Sequence, residues 1–245
     1  MVFSASLLAA LLAAGPADLG PVPEGAVRVY VLRHGQSFTN LTPPPDLPPE
    51  QLDRLTDLGH AQAKAAAALL RGRGVGLIVT SPKGRARETA EELRAALGVS
   101  VRTDERLRPL EMGRDGAGKG LEWGDRMRDW SAGRDPAPTG GESLEQLGLR
   151  VLQVVSELKQ EFRGKSIAFV SHGEVIGNLL GMLEAQTLEG RFEVRIANAS
   201  ISAIEARAAS LPRLLFANFV AEEKKAAEGH FAGASRPAAR RLAAP

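Results

Sequence analysis

Three short apolar runs in this chain break off in the same way. "VYVLRHGQS" carries Val29 to Leu32 into Arg33, His34 and Gly35. "LIVTSPKGRARETA" carries Leu77 to Val79 into Thr80 and Ser81, with Arg85 close behind, and "IAFVSHGEV" carries Ile167 to Val170 into Ser171, His172 and Gly173. Continuous aliphatic runs of this length mark strands buried on both faces, and such strands belong to parallel sheets covered by helices.

The rest of the pattern agrees. Strands are predicted at Val27–Leu32, Gly76–Thr80, Ser166–Val170 and Ser200–Ile204, and helices at Asp57–Leu70, Arg85–Leu97, Leu144–Phe162 and Val175–Leu183. Alternation of this kind predicts an α/β fold, a mostly parallel central sheet with helices on both faces. Thr56 is the expected N-cap of the first helix, and Ser143 with Gln146 forms a capping box before the third. The proline run "TPPPDLPPE" reads as a rigid surface loop.

Composition narrows the chemistry. With 245 residues, 44% hydrophobic and 24% charged, the chain has the make-up of a globular α/β protein. It has no cysteine, so disulfides, thiolate metal sites and cysteine nucleophiles are excluded. A formal charge of +2, without a basic block or interleaved aromatics, argues against a nucleic-acid partner. The four histidines lack close metal-ligand spacing, so neither a metal nor a cofactor is expected.

Three regions are expected. Residues 1–26 form an N-terminal extension whose apolar core, Ser6–Ala14, is too short to span a membrane and has the length of a signal-peptide core, although no Lys or Arg precedes it. Localisation is therefore open between cytoplasm and export, and no stable membrane insertion is expected. Residues 27–221 form the α/β domain, and residues 222–245, which lose apolar periodicity, read as a loose tail.

The strand ends carry the function. In open α/β sheets ligands bind at the carboxyl edge of the strands, and here that edge receives two histidines and at least two arginines. Guanidinium forks pair with phosphate oxygens, and the adjoining glycines let backbone amides come close. A compact phosphorylated small molecule is the expected partner. An imidazole neutral near pH 7 can also attack phosphorus, splitting one displacement into two easier steps.

Six segments together, "LRHGQSFTN", "LTDLGHAQA", "SPKGRARETA", "GGES", "VSHGEVI" and "NASISAIE", resemble in order the histidine phosphatase superfamily, its phosphoglycerate mutase-like branch, over about Val27 to Glu205. The resemblance implies a three-layer α/β/α sandwich. It implies His34 as the phosphorylated nucleophile, Arg33, Arg85 and His172 as the phosphate pocket with Gly173 and Asn40 beside it, and catalysis without a metal. The implied activity is that of a phosphoric monoester hydrolase of the histidine acid phosphatase type. A homodimer is common in proteins of this kind.

One motif departs from that pattern. Relatives place a glutamate proton donor where "RLRPLEMG" has Pro109, so Glu111 becomes the candidate donor, with Asp115 and Glu142 as substitutes. Two alternatives to hydrolysis follow: a phosphoglycerate mutase-like phosphotransferase, and a non-catalytic phosphate- or phosphopeptide-binding module that has lost its donor. Trp123, Met127 and Trp130 recur near helical spacing and read as packing residues of a cap over the crevice. "GAGKG" lacks the spacing of a nucleotide phosphate loop, and His60 and His230 read as ordinary polar residues.

Overall fold

The computed structural model describes residues 14–208 and 210–221, and in it the alternating pattern closes into one six-stranded sheet. The principal strands are β1 (Val27–Arg33), β2 (Val75–Thr80), β3 (Ser100–Thr103), β6 (Ser166–Ser171), β7 (Ile201–Ala206) and β8 (Arg213–Phe219), in the spatial order β3-β2-β6-β1-β7-β8. The strands β3, β2, β6 and β1 run parallel, while β7 pairs antiparallel with both β1 and β8. The expected mostly parallel sheet is therefore present, with an antiparallel edge that includes β8, a strand absent from the sequence prediction.

Each central strand is buried on both faces, which explains its unbroken apolar run. Val27, Val29 and Val31 of β1 belong to one core cluster and Tyr30 and Leu32 to the other, as Ile167 and Phe169 of β6 part from Ala168 and Val170. A one-turn helix α1 (Pro49–Leu52) follows the proline-rich loop, then α2 (Asp57–Leu70) and α3 (Gly84–Leu97) cover the second cluster with Ala66, Leu70, Ala90 and Leu93. The other face is covered by α4 (Trp123–Ser131), α5 (Leu144–Glu161) and α6 (Gly173–Leu183). In α5 the buried residues Leu144, Leu147, Val151, Val154, Val155 and Leu158 form a stripe at helical spacing, so this helix is held by one apolar face. The result is the three-layer α/β/α sandwich.

Both expected caps are present. Gly59 N donates to Thr56 Oγ1 at 3.1 Å, and Ser143 and Gln146 exchange hydrogen bonds of 3.1 and 2.9 Å. Between α3 and α5 a small hairpin of β4 (Met112–Arg114) and β5 (Thr139–Gly141) precedes and follows α4, the cap element.

Residues 1–13 and 222–245 lie outside the described residues, and with them most of the expected signal core, the tail and His230. Residues 14–26 lie against the domain: Pro16 is buried, Leu19 packs on the second cluster, and Arg28 Nη1 donates to Gly20 O at 2.7 Å. Among the described residues no helix is long and apolar enough to cross a membrane.

Candidate active site

The register brings the predicted residues together. Arg33 lies beside Ser171 across the β1–β6 pair and Thr80 beside Val170 across β2–β6, so the segments that follow the three strands leave the sheet side by side. His34 and His172 are nearly fully buried there, with ring centroids 5.3 Å apart at 58°.

Hydrogen bonds set the protonation of both rings. An arginine can only donate, so Arg85 Nε, 3.1 Å from His34 Nε2, makes that nitrogen an acceptor and leaves the proton on Nδ1, which donates to Gly35 O at 2.7 Å. Arg85 Nη2 likewise donates to His172 Nδ1 at 3.1 Å, and His172 Nε2 donates to Ser81 Oγ at 2.8 Å. Burial, with Arg85 and then Arg33 beside it, outweighs the Gly35 hydrogen bond and lowers the His34 pKa to about 3. Burial also drives His172 well below the ordinary histidine value, with His34 and Arg85 adding to it. Two neutral imidazoles thus stand beside two cations.

The cations are themselves held. Asp53, directly after α1, accepts from Arg85 Nη1 at 2.5 Å and from Gly84 N at 2.7 Å, fixing the guanidinium and the start of α3 with one carboxylate. Arg33 Nη1 donates to Ile196 O at 2.6 Å, while its Nε is buried without a partner among the described residues. Burial, added to by Arg195 and Arg85 and opposed by Glu174, lowers the Arg33 pKa. Asn40 Oδ1 accepts from Ser37 N, Ser37 Oγ and Asn198 Nδ2, all at 3.1 Å, so its amide NH2 is the end left to donate. Gly173 opens α6 against Arg33, where an added Cβ would lie 3.4 Å from Arg33 Nε.

The backbone under His34 admits no side chain. A Cβ on Gly35 would lie 2.3 Å from Gly59 O, and one on Gly59 would lie 2.0 Å from Gln36 O. The two glycines let the loop after β1 and the first turn of α2 touch, and Thr89 Oγ1 accepts from Gly35 N at 3.0 Å.

Among the described residues none of the three candidate proton donors hydrogen-bonds to either histidine; each has another partner. The Glu111 side chain is half exposed and pairs with Arg108 at 3.3 Å. Asp115 Oδ1 accepts from Ala117 N and Lys119 N, both at 2.9 Å, in an exposed turn. Glu142 is buried, and Arg150 grips its two oxygens with 2.8 Å hydrogen bonds from Nε and Nη2. Burial alone would raise its pKa, but Arg150, the Glu111 amide and Arg108 outweigh it and hold Glu142 below the usual carboxylate range. Arg150 also ties down the carbonyls of Arg106, Arg108 and Pro109, so this pair moulds the loop that carries Glu111.

Asp53, Ser81, Thr89 and Asn198 were not singled out by sequence as parts of this cluster. Ser81 had a signal in its place at a strand end. Asp53 had none, because only the folded chain brings the proline-rich loop to α3. Among the described residues no group of three or more His, Cys, Asp or Glu is placed to hold a metal ion.

Paired buried imidazoles and clamped guanidiniums thus stand together at the carboxyl edge of the parallel strands of an α/β protein. The profile of the histidine phosphatase superfamily (branch 1) matches residues 29–218, and the chain belongs to that superfamily. A probable phosphoglycerate mutase GpmB of Yersinia enterocolitica is 29% identical over 187 residues, 73% of this chain and 85% of its own. Among solved structures, a mycobacterial hydrolase is 31% identical with a TM-score of 0.63, covering 80% of this chain and 100% of its own. A mycobacterial glucosyl-3-phosphoglycerate phosphatase, in complex with VO3, is 30% identical with a TM-score of 0.59, covering 78% and 99%. These relatives are named a mutase, a hydrolase and a phosphatase.

Proposed function

We propose that this chain is a phosphomonoester hydrolase that works through a phosphohistidine on His34 without a metal. One observation carries the reading. Gly35 O holds the proton of His34 on Nδ1, so Nε2 keeps its lone pair and points at the guanidinium of Arg85.

In the first step the Nε2 lone pair forms the N–P bond as the P–O bond to the leaving group breaks, the electron pair leaving with oxygen. Phosphoryl oxygens take over the Arg85 Nε–H that Nε2 holds. Arg33, Arg85, Asn40 and the Gly173 amide carry the negative charge on those oxygens, the positioning and electrostatic work that dominates phosphoryl transfer, while neutral His172 holds the Arg85 fork in place through Nδ1. The positive charge gained by the imidazole is stabilised by the Nδ1–H bond to Gly35 O. In the second step water attacks phosphorus, the N–P electron pair returns to Nε2, and inorganic phosphate leaves.

Proton donation is the weak part of this machinery. Glu111 is the sequence candidate for the donor, yet its carboxylate pairs with Arg108, and Asp115 and Glu142 are likewise engaged. The leaving group therefore departs with little protonation, and solvent supplies its proton.

Turnover of p-nitrophenyl phosphate in EDTA at about pH 5 to 8, beside His34→Ala, tests the reading. Activity that survives EDTA and is lost in the variant supports it. Phosphate binding without turnover favours the non-catalytic module, and phosphate passed to a second hydroxyl rather than to water favours the mutase.

A further inference from the structure

Beyond the phosphoryl group the crevice opens into a cavity of about 370 Å³, within the range of small-molecule sites. Arg33 and Gly173 are among its lining residues, so it adjoins the anion pocket. Trp123 and Phe192 give the lining an aromatic part. Trp123, 42% exposed, meets Phe192 edge to face at 5.0 Å and Trp130 at 5.4 Å, and behind them Arg126 lies over the buried Trp130 ring at 5.1 Å. Arg126 also donates to the carbonyls of Met112, Pro136 and Glu142, so the aromatic wall is fastened to the hairpin and the start of α5.

Val194 and Ile196 complete the apolar lining, and Glu174 and Arg195 add one charge of each sign. Among the described residues no Ser, Thr, Asn or Gln side chain lines the cavity, so its side-chain polar contacts are those of Arg33, Glu174 and Arg195. Glu174 offsets Arg195, so with Arg33 given to the phosphoryl group no surplus positive charge is left for a second anionic group. An aromatic face would stack on Trp123 or Phe192.

A second observation converges on the same class. With Glu111, Asp115 and Glu142 engaged elsewhere, Glu174 is, among the described residues, the carboxylate on the cavity lining, beside the cations Arg33 and Arg195, and the site favours leaving groups that need little protonation. A phenolate, with a pKa of about 10, is far better in this respect than an aliphatic alkoxide, whose basicity is near that of hydroxide. Resting on the phosphohistidine reading above, we infer that the substrates are aryl phosphomonoesters, phosphorylated phenols whose ring occupies the cavity walled by Trp123 and Phe192.

Two properties of an aryl group are separable by kinetics. Phenyl phosphate combines the ring with a good leaving group, phenethyl phosphate has the ring but leaves as an alkoxide, and glycerol 3-phosphate has neither. The expected order of kcat/KM is phenyl, then phenethyl, then glycerol 3-phosphate, with phenethyl over glycerol 3-phosphate by about tenfold from ring burial alone. In Trp123→Ala and Phe192→Ala that ratio falls towards one, mainly through KM. Far-ultraviolet circular dichroism shows that the variants are folded. Equal kcat/KM for phenethyl and glycerol phosphates, or a ratio unmoved in both folded variants, overturns the inference. Labelling of His34 by acetyl phosphate, a small donor that makes no use of the ring pocket, tests the phosphohistidine separately. Labelling without aryl preference defeats this inference alone, and no labelling defeats the reading beneath it.

Discussion

Arg85 reaches both buried histidines at once, donating from Nε to His34 Nε2 and from Nη2 to His172 Nδ1, each at 3.1 Å. Its third contact, from Nη1 to Asp53, sets the plane of the guanidinium. A single planar fork thus joins the nucleophile, the second histidine and the loop after α1. A lysine, with one nitrogen on a flexible stem, cannot hold these three directions together. Arg85→Lys is expected to lose about 10²-fold in kcat/KM, the scale of losing one preorganised charge-stabilising donor. Steady-state kinetics on p-nitrophenyl phosphate checks this.

Asp53 acts through Arg85 and touches no reacting atom, so it is a positioning residue. Asp53→Ala is expected to lower kcat by about tenfold as the guanidinium loosens. Its loss also leaves Gly84 N at the start of α3 without its side-chain acceptor, at about 1 kcal/mol of stability. The kcat loss should persist at temperatures where thermal melts show the variant fully folded; a purely structural role would leave kcat per folded molecule unchanged.

The depressed His34 pKa makes a pH prediction whose sign is fixed. Between the unfolded value of 6.5 and the folded value of about 3, the unfolded chain binds a proton that the native protein refuses. Stability is therefore full above pH 6.5 and declines as pH falls towards 3, with His172 acting in the same direction. From pH 6.5 to 5 His34 alone accounts for about 2 kcal/mol. Urea titrations across that window should show the decline and a shallower one in His34→Ala. The same shift predicts no acid limb from His34 in activity above about pH 5, since the nucleophile is already neutral there.

Glu142 should behave as structure. Glu142→Gln leaves Arg150 buried without its carboxylate, and breaking such a pair costs about 3–5 kcal/mol. Because Glu142 donates no proton in this account, kcat of the folded variant should stay within about twofold of the parent at low temperature. A thermal melt beside an activity assay separates the two effects.

How far the sequence was legible follows from how local each feature is. The helix at Asp57–Leu70 was placed to the residue because Thr56 caps it and its periodicity is internal, and β1, β2 and β6 announced themselves by buried aliphatic runs. The strand β3 is short and mostly exposed, and β8, paired with a single neighbour in the sheet, has a mixed burial pattern, so neither offered a clean apolar signal. In the site, strand-end geometry points to Arg33, His34 and His172, and to Arg85 at the start of α3. The fate of the three candidate acids could not be read in the same way. Glu142 is taken by Arg150 from the second turn of α5 and Glu111 by Arg108, and which carboxylate meets which arginine is decided by tertiary packing. The spacing of Trp123 marks a packing residue of a cap over the crevice, and the fold also places it on the lining of the cavity.

The central claim is that phosphorus becomes bonded to His34 Nε2, and rapid quenching during turnover tests it most directly. Protein mixed with p-nitrophenyl phosphate, quenched in base and mapped by tandem mass spectrometry should carry a phosphoryl group on His34, labile in acid and absent from His34→Ala. Full turnover with no adduct on His34, or an adduct on His172 instead, would contradict the account.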